Sequence, residues 1–283
     1  FLQKSLNIFC VGSHILRSFE GIFVMFSFRL YKFFAAFFVL TSVVLTLIGL
    51  IYYGRKYLKS GFVEYLPTKV RHLGIIMDGN RRWGKKNNFN LARAYKAGAE
   101  KLFEVLDFCL NSDVKYLSAY ALSLDNVKKR TKEELDLIFD TAFKFLEEKA
   151  NEVSGRLTVN VVGDLSVVPE YLAKKIRKIC DENQNGKDLT VNILFAYDPI
   201  EDINFASKEH KKESLIKNIR SSDIPPVDLV IRTGDRKRLS GFLPLQIVYS
   251  EIYFEKCMWP DLSISRLKEI LNDFSKAERS FGR

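Results

Sequence analysis

Five short runs rich in β-branched and aromatic residues alternate with longer stretches of helical periodicity: LGIIMDG (73–79), KYLSAYAL (115–122), RLTVNVVG (156–163), LTVNILFAY (189–197) and VDLVIRT (227–233). Such alternation predicts an α/β fold with a largely parallel central sheet flanked by helices. The first helix is expected from about Ala92 to Asn111, with Ala99, Leu102, Phe103, Leu106 and Leu110 on one face. Thr131 opens the next in a capping box with Glu134, and Leu135, Ile138, Phe139, Ala142, Phe143 and Leu146 form its apolar stripe. In sheets of this kind ligands bind beyond the carboxyl ends of the strands, so chemistry is expected just after each run.

Before this pattern lies a different regime. From Phe33 to Tyr53 there are 21 consecutive residues without a charge, FFAAFFVLTSVVLTLIGLIYY. A helix of that length reaches about 30 Å, the thickness of the hydrocarbon core of a bilayer. The run is longer than the apolar core of a secretion signal, starts some thirty residues in, and lacks a small-x-small cleavage signal near Gly54. A retained single-pass membrane helix over about 33–53 is therefore expected, within an anchoring region 1–66. Phe19, Ile22, Phe23 and Phe26 add an amphipathic stretch suited to the bilayer surface. Arg29 and Lys32 flank one end of the run and Arg55, Lys56 and Lys59 the other, so charge does not set its orientation. Residues 67–283, entered through a linker containing Pro67, form one domain.

The formal charge of +10 calls for anionic partners. No basic low-complexity tail, zinc motif or RNP-like aromatic strand points to nucleic acid. Cys10, Cys109, Cys180 and Cys257 are widely separated, with no CxxC or Cys/His cluster, so neither a zinc site nor a disulfide framework is expected.

Three strand ends concentrate the chemistry. In IMDGNRRWGKK, Asp78 sits at the strand terminus, Gly79 permits the turn, and Arg81, Arg82, Lys85 and Lys86 follow. A carboxylate beside an arginine pair suits a Mg²⁺-diphosphate, whose metal takes the carboxylate and whose oxygens take arginine and backbone N–H. The plain alternative is a surface turn with a local Asp-Arg salt bridge. In VDLVIRTGDRKRLSGF, Arg232, Arg236, Lys237, Arg238 and Ser240 suit a second polyanion site, against a solvated basic loop. Further on, Glu251 stands in an apolar and aromatic run, where an unpaired carboxylate is costly unless it is wet or bound to metal or a base. YALSLDNVKKR (120–130) ends a third strand with Ser123, Asp125 and Asn126.

In combination, HLGIIMDGNRRWGKK, KAGAEKL, YALSLDN, DLVIRTGDRKRLSGFL and YSEIYFEKCMWPD occur in an order that resembles the cis-prenyltransferases, the family of undecaprenyl and dehydrodolichyl diphosphate synthases. The resemblance covers about residues 70–283. It implies an enzyme that adds isopentenyl diphosphate to farnesyl or a longer allylic diphosphate, using Mg²⁺, to make a long-chain polyprenyl diphosphate of the dehydrodolichyl type for glycosyl carrier lipids. By motif, Asp78 is the implied catalytic residue and a Mg²⁺ ligand, with Asn126 near the proton removal. Gly79, Asn80, Arg81 and Arg82 are implied to hold the allylic diphosphate, and Arg232, Arg238 and Ser240 the isopentenyl diphosphate. Glu251 is implied as a second Mg²⁺ ligand. Leu102, Phe103, Leu106, Leu137, Phe139, Phe143 and Leu146 are candidates for an apolar product tunnel, although each is also ordinary helix core. With the membrane helix, which bacterial members usually lack, the implied site of action is the endoplasmic reticulum membrane, as a homodimer or a heteromer with a related subunit.

The chain departs from the family pattern at several places. Leu91 and Tyr95 stand where Arg and His are common, Asp125 replaces a Glu, and Val127 replaces an aromatic. Lys129 occupies a common Arg position with Arg130 next to it, Asp235-Arg236 and Pro244-Leu245 depart from GE and LW, and the segment between Ile203 and Val227 is short. Ser280 stands where the tail carries an arginine, with Arg279 one residue early. A rival reading is accordingly a catalytically silent, membrane-anchored subunit of a heteromeric enzyme. No nucleophile-base pair or histidine cluster supports a hydrolase.

Overall fold

The computed structural model describes residues 68–153, 155–208 and 214–277. The chain divides into two units, Phe1–Val63 and Glu64–Arg283, and every described residue belongs to the second. The expected membrane run and Ser280 lie outside the described residues. Among the described residues no helix is long and apolar enough to cross a membrane.

Six strands form one sheet: β1 (His72–Ile76), β2 (Tyr116–Ser123), β3 (Leu157–Val162), β4 (Leu189–Tyr197), β5 (Leu229–Arg232) and β6 (Glu251–Phe254). They run in the order β3-β4-β2-β1-β5-β6, and every pairing is parallel. All residues of β1 and β5 are buried, as a parallel sheet covered on both faces requires. Side chains alternate between two cores. Ile75 and Ile231 belong to the larger, with Phe108, Trp259 and Phe274, whereas Ile76 and Val230 belong to the smaller, with Phe242 and Leu243. The five expected strands are present and a sixth joins them. With four residues at an edge, β6 is too short for its alternation to stand out from the apolar run around it.

The helices are α1 (Asn80–Lys86), α2 (Leu91–Leu110), α3 (Leu124–Lys129), α4 (Lys132–Glu152), α5 (Glu170–Glu182), α6 (Pro199–Lys208), α7 (Leu215–Asn218) and α8 (Ile264–Lys276). Asn90 caps α2 by accepting a hydrogen bond from the Arg93 amide at 2.9 Å. The buried face of α2 is Ala94, Gly98, Val105, Leu106, Phe108 and Cys109, rotated from the expected stripe, of which Leu102, Phe103 and Leu110 are only partly buried. A small residue lets other groups come close: a Cβ at Gly98 would collide with the Asn80 side-chain amide, and the Trp259 indole N–H donates to the Gly98 carbonyl at 2.7 Å. Periodicity of large apolar residues cannot reveal such a contact. On α4, Ile138 and Phe139 are buried as expected, and the side chains of Ala142, Phe143 and Leu146 lie outside the described set.

A polar row crosses the sheet inside this apolar frame. His72 Nε2 lies 2.8 Å from Ser118 Oγ, Asn192 Nδ2 donates to Ser118 Oγ at 3.2 Å, and Asn160 Nδ2 donates to Asn192 Oδ1 at 3.1 Å. His72 Nδ1 faces the carbonyls of Pro225 and Pro226, which can only accept, so that nitrogen carries the proton and Nε2 accepts from the serine. Burial lowers the His72 pKa to about 4, against partly offsetting carbonyl contacts and Asp228. The folded state holds the neutral ring, so the unfolded chain takes up the proton first as pH falls below the ordinary value near 6.5. Stability tied to His72 is complete above that pH and is lost progressively down to about 4. Between pH 7.5 and 5 the unfolding free energy is expected to fall by about 2 kcal/mol from this group. The check is urea denaturation of wild type and His72→Gln across that range: the variant should show the flatter pH dependence.

Candidate active site at the carboxyl ends of the strands

Neighbouring strands β1 and β5 send their chains in opposite directions, β1 toward β2 and β5 toward β6. The crevice between them is the topological switch point, where α/β sheets collect ligands. Asp78 follows β1 there, and Arg232 ends β5 beside Ile76.

The backbone of Asp78 is fixed first. Its carbonyl accepts from Thr233 Oγ1 at 2.8 Å and from the Trp259 amide at 3.1 Å. Its carboxylate then receives two guanidiniums, Arg82 Nη2 on Oδ1 at 3.0 Å and Arg232 Nη2 on Oδ2 at 2.8 Å. Arg82 also donates to the Gly234 carbonyl at 2.7 Å. Arg232 is 3% exposed, and its Nη1 donates to Ser240 Oγ at 2.9 Å and to the Arg238 carbonyl, while its buried Nε has no partner. The local Asp-Arg salt bridge is therefore real. A surface turn, however, does not explain a second, buried arginine arriving from 154 residues away.

Glycine is needed at two points. Gly79 has φ +118°, and a Cβ there would meet Met258 Sδ at 2.8 Å and its Cα at 3.0 Å. Gly234 has φ +86°, and a Cβ would lie 2.7 Å from Arg82 Nη2 and 2.9 Å from the Asp78 carbonyl.

These groups open into a cavity of about 950 Å³. It is lined by Asp78, Gly79, Asn80, Arg81, Arg82, Asn126, Arg232, Arg238 and Ser240, so both expected diphosphate-binding sets share one space. Among the described residues, six cationic side chains line it (Arg81, Arg82, Lys85, Arg130, Arg232 and Arg238) against three carboxylates (Asp78, Asp125 and Asp198), an excess suited to a polyanion. Ile76, Leu91, Leu122 and Ile138 supply apolar wall.

Glu251 is not brought to this cavity. It begins β6, exposed and paired with Leu229, three residues before the Arg232 end, a separation of about 10 Å along the strand. Parallel register thus puts it at the opposite end of the sheet within the chain, and its expected metal role is not met there. The carboxylate at the right end is Glu255, whose amide donates to the Arg232 carbonyl at 2.7 Å, but Arg266 already holds it through Nη2 at 2.8 Å and Nε at 3.2 Å. Among the described residues no group of three or more His, Cys, Asp or Glu is arranged to hold a metal by itself.

Of the tunnel candidates whose side chains are described, Leu102, Phe103, Leu106, Leu137 and Phe139, none lines the cavity; Leu106 and Phe139 are core, and the wall is formed by their neighbours. Leu91 and Tyr95 do line it, as do Tyr120 and Asp198, which motif reading did not select. Asp198 directly follows β4, so the strand-end rule applied to that run would have found it. Its Oδ1 caps α6 by accepting from the Ile200 amide at 2.9 Å and the Glu201 amide at 3.1 Å. Tyr120, pushed up to about 12 by burial and then by Asp198, donates to the Ser240 carbonyl at 3.2 Å. Arg130 faces the cavity, whereas Lys129 pairs with Asp125 at 2.8 Å with both side chains largely exposed.

A parallel α/β sheet whose switch-point crevice is cationic, aspartate-centred and part apolar defines a class of protein suited to binding amphiphilic phosphates. Comparison with known proteins specifies the class. A family model described as "Putative undecaprenyl diphosphate synthase" matches residues 76–282. An isoprenyl transferase of Rickettsia conorii is 32% identical over 227 residues, covering 77% of this chain and 96% of that protein. A tritrans,polycis-undecaprenyl-diphosphate synthase (geranylgeranyl-diphosphate specific) of Thermoplasma acidophilum is 31% identical, covering 76% and 90%. The crystal structure of "a probable undecaprenyl diphosphate synthase" from Campylobacter jejuni superposes with TM-score 0.61 at 32% identity, covering 76% of this chain and 99% of that one. Lavandulyl diphosphate synthase from Lavandula x intermedia, at 24% identity and TM-score 0.69 over 76% of this chain and 98% of that one, shares the fold. The chain belongs to the cis-prenyltransferase family, that of undecaprenyl diphosphate synthase, and is a prenyl transferase.

Gly234→Ala tests the clamp without touching a charge. The added methyl group must displace the Arg82 head, and the positive φ adds strain of about 1–3 kcal/mol. A lower thermal midpoint together with at least tenfold lower transferase activity is expected.

Proposed function

We propose that this enzyme condenses isopentenyl diphosphate onto farnesyl diphosphate or a longer allylic diphosphate, yielding a long-chain polyprenyl diphosphate of the dehydrodolichyl type for glycosyl carrier lipids. The observation that carries this reading is the Arg82–Asp78–Arg232 clamp at the switch point, where one carboxylate sits between cations of two diphosphate-binding sets. Gly79, Asn80, Arg81 and Arg82 take the allylic diphosphate, and Arg232, Arg238 and Ser240 the isopentenyl diphosphate. The residues fit a Mg²⁺ that arrives with its diphosphate, since Mg²⁺ commonly takes one or two carboxylates and completes its shell with phosphate oxygens and water. Asp78 would hold it, and it would withdraw charge from the departing diphosphate.

The chain's own groups do the rest. As the allylic C–O bond breaks, the leaving diphosphate gains charge against Arg81 and Arg82, of which Arg82 is already held by Asp78 and the Gly234 carbonyl. The new C–C bond forms to the homoallylic carbon, and the departed diphosphate, the base that the reaction itself supplies, takes the proton whose loss sets a Z double bond. Asn126, on the cavity wall, is a neutral amide that can orient a group there but cannot itself take the proton. The 21-residue uncharged run supports a single-pass anchor in the endoplasmic reticulum membrane, where a lipid product would partition. The enzyme works there as a homodimer or with a related subunit.

Incorporation of labelled isopentenyl diphosphate into farnesyl diphosphate in the presence of Mg²⁺ is the test. Wild type should form long-chain product, chelation should stop it, and Asp78→Ala should reduce it at least a hundredfold. Incorporation by wild type no greater than by Asp78→Ala, with and without a related subunit, would sink the reading.

A further inference from the structure

Behind the cavity wall lies a carboxylate that the reaction as described does not use. Glu134, on the first turn of α4, is 8% exposed and is not itself part of the lining. Its amide donates to Thr131 Oγ1 at 3.3 Å, as a capping box requires, but its carboxylate is engaged elsewhere. Oε1 accepts from the Tyr95 hydroxyl at 2.5 Å and lies 3.4 Å from Arg130 Nη1 and 3.6 Å from Arg81 Nε. Arg130 Nη1 also donates to Tyr95 Oη at 2.9 Å. The groups gathered by this one oxygen, Arg81, Tyr95 and Arg130, all line the cavity.

We propose that Glu134, with Tyr95 bound to it, is a positioning residue that sets Arg81 and Arg130 as a two-guanidinium clamp for the diphosphate of the allylic substrate. The proposal rests on the function proposed above and assigns it a further part.

Charge supports the clamp. One carboxylate faces two guanidiniums, so a positive charge is left over at the wall, and Arg130 Nε is buried without a partner. The second guanidinium exceeds what neutralising Glu134 requires, and both arginines border an open cavity. Tyr95 fixes the geometry. Burial, followed by the Glu134 hydrogen bond, raises its pKa well above the ordinary phenol range, so it remains a donor to Glu134 and an acceptor from Arg130.

Apolar neighbours identify which substrate is held. Leu91 lies one turn before Tyr95 on α2, and Ile138 one turn after Glu134 on α4, and both line the cavity. A headgroup clamp with apolar wall on the same helix faces suits a diphosphate with a long hydrocarbon tail, not the five-carbon isopentenyl unit. Lys129 pairs through its exposed head with Asp125 and is not among the described residues that line the cavity.

The test measures equilibrium binding of farnesyl thiodiphosphate, a poorly reacting analogue, and of isopentenyl diphosphate to the full chain, with thermal midpoints and the KM of each substrate. Arg130→Met and Glu134→Gln should weaken the farnesyl analogue at least tenfold and raise the farnesyl KM likewise, with isopentenyl binding changed less than twofold. Tyr95→Phe should give a smaller effect of the same selectivity with an unchanged midpoint, which keeps the test open if Glu134→Gln folds poorly. Lys129→Met, which leaves the cavity-lining Asp125 carboxylate unpaired, should weaken both ligands alike and by less than Arg130→Met weakens the farnesyl analogue. Equal weakening of both ligands by Arg130→Met, or a lower kcat with the farnesyl KM unchanged, would overturn the proposal, as would an effect of Lys129→Met matching that of Arg130→Met. Wild type that binds the analogue but forms no product fails the proposed function alone. Wild type that binds neither ligand overturns both.

Discussion

Arg232 carries a full charge at 3% exposure, and much of the site's geometry follows from finding partners for it. Removing a guanidinium from water costs several kcal/mol unless its donors are satisfied. Asp78, Ser240 and the Arg238 carbonyl satisfy it from two directions, and the same contacts fold the loop after β5 back over the end of β1. Because Asp78 also receives Arg82, which reaches Gly234, the four residues form one closed circuit. Such a circuit is not a sum of pairs: removing Asp78 leaves two guanidiniums without their shared anion.

This circuit explains how a cationic cavity remains ordered before any anion enters. Like charges crowded around an open space repel, and interspersed carboxylates hold them at fixed positions. Asp78 does this for Arg82 and Arg232, and Glu134 does it for Arg81 and Arg130. An incoming diphosphate meets donors whose orientation is already fixed, which reduces the ordering needed on binding and in the transition state.

Much of this was readable from residues alone, because strand ends in a parallel sheet converge on one edge. That rule placed Asp78, Asn126, Arg232 and Ser240 together before any coordinates. It did not reach Glu251, which its apolar surroundings and the family motif singled out: strand register is a three-dimensional property, and nothing in YSEIYFEK says which residue sits beside Leu229. Glu134 misled in another way, since a local capping signal was satisfied by its amide while its side chain answered to Tyr95 and two arginines. The buried face of α2 includes Gly98, where a Cβ would collide with the Asn80 side-chain amide, and an absent side chain has no hydrophobic period.

The row of His72, Ser118, Asn192 and Asn160 acts as a key across four strands. Sliding any one strand by a residue would turn its polar member to the other face and leave its former partners unmatched in hydrocarbon. An all-apolar sheet would resist such slippage far less, since one valine packs much like the next. The strands are therefore pinned at one level, and the heights at which β1 and β5 end are set by a lock some distance from the catalytic edge. Alignment of Asp78 with Arg232 to within one hydrogen bond is a tolerance inherited from that lock.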